Sequence, residues 1–218
     1  MRSILVLNPK GGCGKSTLAT NIAGWYASER GAKVALADCD PQGSSKDWLA
    51  ARPEDRPPIY SATVTANKAN TPRGTEVLVI DSPAASHGSR LASLMKHART
   101  VLIPIMPSAI DTRAAERFLE ELIELRKVSQ KKVKLATVAN RVREDTLAGA
   151  ELDNYLDHLK LPDGSKLKYL TLLRASQNYV HAAEQGLSIF ELAPSRTYYD
   201  QEQWQPLLKW LNSAHSQP

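Results

Sequence analysis

The chain has 218 residues, and its 28 Lys and Arg against 23 Asp and Glu give a formal net charge of +5. Hydrophobic residues make up 42% and charged residues 23%, which is ordinary globular usage and excludes wholesale disorder. No apolar run reaches the ~20 residues of a membrane span, the N-terminal run is too short for a signal peptide, and two cysteines cannot build a disulfide framework. We therefore expect one soluble cytoplasmic domain over residues 1–218.

Strands and helices alternate along the sequence. Nearly continuous apolar runs predict strands at residues 3–8, 33–38, 76–81, 101–106 and 133–139. Apolar residues at helical spacing predict helices at residues 15–30, 112–128, 146–159, 176–186 and 198–212. Because strands that are apolar throughout are buried on both faces, the predicted fold class is α/β, with a mostly parallel central sheet flanked by helices on both faces. Ligands of such sheets bind at the carboxyl ends of the strands.

A glycine-rich loop joins the first strand to the first helix. Glycines let backbone N–H groups surround phosphate oxygens, and the helix N-terminus adds partial positive charge. In such a loop Lys15 reaches the β- and γ-phosphates and the Ser16 hydroxyl ligates Mg²⁺. The sequence therefore predicts an ATP and Mg²⁺ site. The predicted nucleotide-binding residues are Gly11, Gly12, Cys13, Gly14, Lys15, Ser16 and Thr17.

The loop departs from the ordinary phosphate-loop pattern. The position expected to hold its first glycine is Pro9, and a second lysine, Lys10, precedes the glycine pair. Lys10 lies too early in the loop to duplicate Lys15 on the same phosphates. The run from Lys10 to Ser16 resembles the deviant Walker A loop of ParA/MinD-family ATPases, a branch of the P-loop NTPase fold. That resemblance implies that Lys10 contacts the partner's nucleotide in an ATP-sandwich homodimer.

Three aspartates follow predicted strands and fit the same resemblance. Asp38 and Asp40 are two residues apart, so their carboxylates project to the same side of an extended chain. The family's D-x-D-P-Q-G segment implies that Asp40 orients or deprotonates the attacking water, while Asp38 organises the lysine and metal-bound water. Asp81 resembles the Walker B carboxylate that holds Mg²⁺. The predicted catalytic residues are Lys10, Lys15 and Asp40, and the predicted metal site is Ser16, Asp38 and Asp81.

The resemblance extends to residue 211, with a P-S-x-x-D segment at residues 107–111 and an R…G-x-S pattern at Arg174 and residues 186–188. It implies that Asn140 and Arg141, after the fifth strand, contact adenine. The short ParA-type proteins, ParF-like or McdA-like, are the most similar. The phosphate loop begins within ten residues of Met1, so we do not expect the helix-turn-helix extension of longer relatives or operator-specific DNA binding.

Basic residues concentrate between positions 126 and 143, which carry seven Lys and Arg and no acid, so the rest of the chain sums to −2. This stretch fits either a DNA-binding surface or a solvated helix end and strand edge. The predicted DNA contacts are Arg126, Lys127, Lys131, Lys132 and Arg174.

Together these features predict an ATPase switch that dimerises on ATP and binds non-specific DNA of the nucleoid. A ParB-like or McdB-like partner is expected to stimulate its slow hydrolysis, and a plasmid, chromosome or protein organelle would be its cargo. One alternative is a MinD-like membrane-cycling ATPase, although the C-terminal segment has only Lys209 as a basic residue and is interrupted by Pro206. The other alternative is a metabolic P-loop ligase, which needs a second small-molecule pocket.

Overall fold

The computed structural model describes residues 1–129, 133–161 and 164–218, without the side chains of residues 109–114 and 126–129. Within these ranges a seven-stranded sheet has the order β3-β2-β6-β1-β7-β8-β9, and every neighbouring pair is parallel. A small antiparallel pair, β4 and β5, stands apart from it. The strands are β1 (Arg2–Val6), β2 (Val34–Asp38), β3 (Ile59–Ser61), β4 (Thr63–Val64), β5 (Ala69–Asn70), β6 (Val77–Asp81), β7 (Thr100–Ile105), β8 (Lys134–Val142) and β9 (Lys168–Arg174).

Helices cover both faces of the sheet, which confirms the predicted fold class. They are α1 (Lys15–Ser28), α2 (Ser44–Ala50), α3 (Gly88–His97), α4 (Ala109–Ser129), α5 (Leu147–His158), α6 (Gln177–Glu184) and α7 (Pro194–Asn212). Apolar side chains of α1, α2, α6 and α7 form one core cluster, and those of α3, α4 and α5 form the other. Alternate residues of β1 enter the two clusters, with Ile4 facing the first and Leu5 the second. Burial on both sides explains why the strand is apolar throughout.

The C-terminal helix packs onto the core. Trp204 of α7 is fully buried, its ring lies edge-on to Phe190 at 5.7 Å, and Leu207 and Leu211 are buried beside it. Pro206 lies inside the helix without ending it, and Pro194 opens the helix four residues before the predicted start. The apolar face of α7 is thus committed to the core. In the described ranges no helix has the length and apolar character needed to cross a bilayer.

Several elements were not predicted from the sequence. The helix α2 and the strands β3 and β9 are short or only half-buried, so their apolar periodicity is weak, whereas α3 is amphipathic but only ten residues long. The fifth predicted strand is longer than expected, because β8 continues to Val142 instead of ending at residue 139. Asn140 and Arg141 therefore lie inside a strand and not after it. Residues 53–58 form the predicted loop.

Candidate functional site

The glycine-rich loop leaves the centre of the sheet. β1 lies between β6 and β7, and the chain turns from its carboxyl end into α1, which begins at Lys15. Asn8 fixes the start of this loop, because its Nδ2 donates to the Pro104 carbonyl at 2.7 Å and its Oδ1 accepts from the Lys10 N–H at 2.9 Å. Sequence reasoning missed Asn8, whose polar side chain follows directly on an apolar strand.

The loop requires glycine at two places. Gly12 and Gly14 have φ of 75° and 87°, a region that L side chains rarely adopt. A Cβ on Gly14 would also lie 2.2 Å from Nδ2 of Asn140. Asn140 donates to the Cys13 carbonyl at 2.8 Å, and Arg141 donates from Nη1 to the Gly12 carbonyl at 2.9 Å. The two residues predicted to contact adenine therefore brace the phosphate loop itself.

The side chain of Lys15 folds back over the loop. It is 7% exposed, and its Nζ donates to the Lys10 carbonyl at 3.0 Å. The Cys13 thiol, also buried, donates to the same carbonyl at 3.3 Å. The ammonium of Lys15 is thereby held inside the turn of the backbone, where a bound phosphate would meet it. The role of Lys10 concerns a second copy of the chain and stays a prediction.

The carboxylates of Asp38 and Asp40 order the loops around the site. Asp38 accepts from the backbone N–H of Asp40 and of Lys46, both at 2.9 Å, and so joins the end of β2 to the first turn of α2. Asp40 accepts from the Gln42 N–H at 3.0 Å and from the Ala84 N–H at 3.2 Å. It therefore links the loop after β2 to the loop after β6.

Asp81 lies at the bottom of the site. It is the register partner of both Asp38 on β2 and Val6 on β1, so it sits beside the start of the phosphate loop. Burial raises the pKa of Asp81 to about 6, and the hydroxyls of Ser16 and Ser45 offset part of that rise. Neither hydroxyl completes a hydrogen bond of normal geometry to the carboxylate.

Unsatisfied buried polar atoms concentrate around Asp81. Among the described residues five buried side-chain polar atoms have no hydrogen-bond partner, and four belong to Asp81, Ser45 and Ser82. Native proteins rarely leave such groups unpaired, because each costs about 1–3 kcal/mol. Hard oxygen donors of this kind suit hydrated Mg²⁺, which favours one or two carboxylates together with water and phosphate. The residues present therefore fit the predicted metal.

A cleft of about 980 Å³ opens beside the phosphate loop. It lies at the carboxyl ends of β7, β8 and β9, where ligands of parallel sheets bind. Sequence reasoning missed the wall that α6 and the segment before it supply, since no charge pattern marks these residues. The lining includes Gly14, Thr17, Pro107, Ser108, Asn140, Arg141, Arg174, Ser176, Gln177, Tyr179 and Val180.

Two residues of the basic stretch, Lys134 and Arg141, lie at opposite ends of one strand. Lys134 is the first residue of β8, whereas Arg141 lies near its other end, about 23 Å away at ~3.3 Å per residue. These two side chains therefore do not share one patch, and the DNA contacts predicted from the stretch stay predictions. The side chains of Arg126 and Lys127, and the residues Lys131 and Lys132 altogether, lie outside the described part of the chain.

Arg174, another predicted DNA contact, is bonded to two carboxylates of the protein. Its Nε donates to Asp200 at 2.6 Å and its Nη1 to Glu144 at 3.3 Å, and its side chain is 26% exposed. These carboxylates, Asp200 above all, raise its pKa. The guanidinium is therefore already paired within the protein.

Comparisons with known proteins agree with this geometry. A model of the CobQ/CobB/MinD/ParA nucleotide-binding domain matches residues 4–189. Carboxysome distribution protein A from Halothiobacillus neapolitanus is 30% identical over 196 residues, which cover 87% of each chain. Its namesake from Gloeobacter kilaueensis is 30% identical over 202 residues, 87% of this chain and 84% of the relative.

Solved structures share the fold. Apo McdA from Cyanothece matches with a TM-score of 0.74 at 17% identity, covering 97% of this chain and 100% of the other. MinD in the MinC:MinD complex of Aquifex aeolicus matches with a TM-score of 0.68 at 16% identity, covering 97% of this chain and 94% of the other. With its lysine-bearing phosphate loop at the centre of a parallel sheet, the chain belongs to the ParA/MinD family of P-loop ATPases.

Proposed function

We propose that this chain is an ATP-driven positioning switch. It binds ATP and Mg²⁺ at the phosphate loop, forms an ATP-sandwich homodimer, binds non-specific DNA in that state and is released when a partner stimulates hydrolysis. The observation that carries the proposal is the placement of Lys15, Asp38, Asp40 and Asp81 at one edge of the sheet. The two relatives that each match 87% of this chain are named for carboxysome distribution, so a protein organelle of that type is the proposed cargo.

In the proposed mechanism the residues of the site have different roles. The loop amides and Lys15 bind the phosphates, and Ser16, Asp38 and Asp81 hold Mg²⁺, which neutralises phosphate charge when bound. Asp40 orients the attacking water from the loop after β2. Lys10 reaches the nucleotide of the second protomer, which makes the complete site depend on dimerisation.

Asp40→Ala is expected to stop hydrolysis while ATP binding and dimerisation persist. Asp40 contacts only backbone N–H groups of neighbouring loops in the described structure, and loss of a positioned base costs typically ~10²–10⁴-fold in rate. Phosphate release and ATP-dependent dimerisation by light scattering measure the two effects. Asp55→Ala, in the exposed loop after α2, is the control. Wild-type hydrolysis by Asp40→Ala would show that another group handles the water.

We place the proposed DNA surface at the opposite edge of the sheet from the nucleotide. Lys134 and Lys168 begin β8 and β9, and together with Lys166, Trp210 and His215 they border a groove of about 450 Å³. Lys166 pairs with Asp157 at 3.0 Å, but both side chains are more than half exposed, so the pair is weak and exchangeable. In an ATP-sandwich dimer the nucleotide edges face each other, so the two copies of this edge lie at the outer ends, and ATP would control DNA binding by joining two weak sites in one particle.

Random-sequence duplex is expected to bind the ATP form and not the ADP form. Each DNA phosphate that the protein neutralises steepens the plot of log binding constant against log salt concentration by about 0.9. The double variant Lys134→Ala and Lys168→Ala should therefore reduce the magnitude of that slope by roughly 2 per protomer. Fluorescence polarisation across a salt series measures it, with Lys68→Ala on the β4–β5 hairpin as the control. Equal binding with ATP and ADP, or a slope unchanged by the double variant, contradicts the proposed surface.

A further inference from the structure

The buried carboxylate of Asp200, on α7, accepts hydrogen bonds from three side chains of one short segment. We call Asp200 and these three donors the clamp. Asp200 is fully buried, and its oxygens accept from Arg174 Nε at 2.6 Å, Asn178 Nδ2 at 2.6 Å and Ser176 Oγ at 3.1 Å. The three donors lie at the end of β9, at the N-cap of α6 and in the first turn of α6. A buried carboxylate is costly unless it is paired and hydrogen-bonded, and here that cost is offset by these three donors.

Other residues on the same face of α7 also form hydrogen bonds with residues 174–179. The Gln203 side chain accepts from the Arg174 N–H at 2.9 Å, and Trp204 Nε1 donates to the Tyr179 hydroxyl at 2.8 Å. The Arg196 carbonyl accepts from Asn178 Nδ2 at 2.8 Å. One helix face therefore sets the path of residues 174–179.

That path forms one wall of the 980 Å³ cleft. Ser176, Gln177, Tyr179 and Val180 line the cleft, whereas Asp200 and Asn178 are absent from its lining. Asp200 and Asn178 therefore lie behind the wall, whereas Arg174 and Ser176 are part of it. The clamp is also separate from the phosphate loop and the three site aspartates, which lie at or just after the carboxyl ends of β1, β2 and β6.

We propose that Asp200 is a positioning residue for the nucleotide. By fixing the β9–α6 turn it preorganises the wall against which the nucleoside end of ATP rests, so α7 sets ATP affinity without touching the phosphates. This inference rests on the proposed function, which puts the triphosphate on the phosphate loop, and on the cleft that opens beside that loop and can take the nucleoside.

Asp200→Asn and Asn178→Ala test the proposal, since each weakens the clamp from a position outside the cleft. We expect ATP to bind about tenfold more weakly, KM to rise by the same factor and kcat to stay constant. Inorganic tripolyphosphate, which has no nucleoside, should compete with equal affinity in wild type and in both variants. Competition against a fluorescent ATP analogue measures both ligands.

Glu144→Gln is the matched control, because it removes the other carboxylate partner of Arg174 but leaves the contacts of Ser176 and Asn178. If the clamp, and not the neutralisation of the Arg174 charge, sets ATP affinity, Glu144→Gln should change that affinity less than twofold. If Asp200→Asn does not fold, Asn178→Ala decides alone. Unchanged ATP affinity in a folded variant overturns the inference, and so does an equal loss of affinity for ATP and for tripolyphosphate. A wild-type protein that binds neither ligand overturns the proposed function.

Discussion

Lys15→Ala is expected to abolish measurable ATP binding while the fold stays intact. The Lys15 ammonium is buried against the Lys10 carbonyl inside the loop, so a bound triphosphate would meet it away from solvent. Removing one partner of a buried charge pair costs about 3–5 kcal/mol, which corresponds to a loss of roughly 10²–10⁴-fold in affinity. Titration of a fluorescent ATP analogue in Mg²⁺ measures the loss.

The control for this variant is Lys46→Ala. Lys46 lies in the first turn of α2 next to the site, but only its backbone N–H contacts Asp38 and its side chain is exposed. Its removal should leave ATP affinity within twofold. Thermal melts should be similar for both variants without nucleotide, and only Lys46→Ala should gain stability when ATP is added. Tight ATP binding by Lys15→Ala would refute the assignment of the loop.

Asp81→Asn is expected to stabilise the nucleotide-free protein at pH 8 by up to about 3 kcal/mol. Folding raises the pKa of Asp81 from 3.8 to about 6. Between these two pH values the folded state therefore keeps a proton that the unfolded state has released. The contribution to stability is thus present below pH 4 and lost as the pH rises through about 6. Asparagine cannot ionise, so the cost of burying a charge at this position is removed.

Urea unfolding at several pH values between 4 and 8, without Mg²⁺, measures this effect. The stability difference between wild type and Asp81→Asn should grow with pH, whereas Asp55→Asn in the exposed loop should follow wild type throughout. Adding Mg²⁺ and ATP should then stabilise wild type and not Asp81→Asn. A difference that does not vary with pH would show that the Asp81 carboxylate is not held in an unfavourable environment.

The sequence predicted the phosphate loop well because its chemistry is local. The spacing of the glycines, Lys15 and Ser16 lies within one turn between a strand and a helix, and the aspartates follow strands whose apolar character is plain. Parallel pairing then brings Asp38 and Asp81 to the same level. Adjacent strands in space, however, are not adjacent in sequence, so no spacing rule could give these contacts in advance.

The cleft wall could not be predicted for the same reason. Asp200 meets Arg174 across 26 positions, and this contact depends on how α7 crosses the sheet. The basic stretch has uniform charge in sequence, but its middle is a buried strand that carries Lys134 and Arg141 to opposite edges. The strand predicted at residues 133–139 already separates Lys134 from Arg141, and only its extension to Val142 was not predicted.

The length of β8 has a consequence for how this protein can change over evolutionary time. Lys134, at the start of β8, lies about 23 Å from Arg141, which contacts the phosphate loop. A substitution at one end of the strand therefore does not alter the contacts at the other end. Substitutions more than about 7–10 Å apart are usually additive in their effects. The proposed affinity for DNA and the affinity for the nucleotide can therefore be adjusted separately, and relatives can diverge in one while keeping the other.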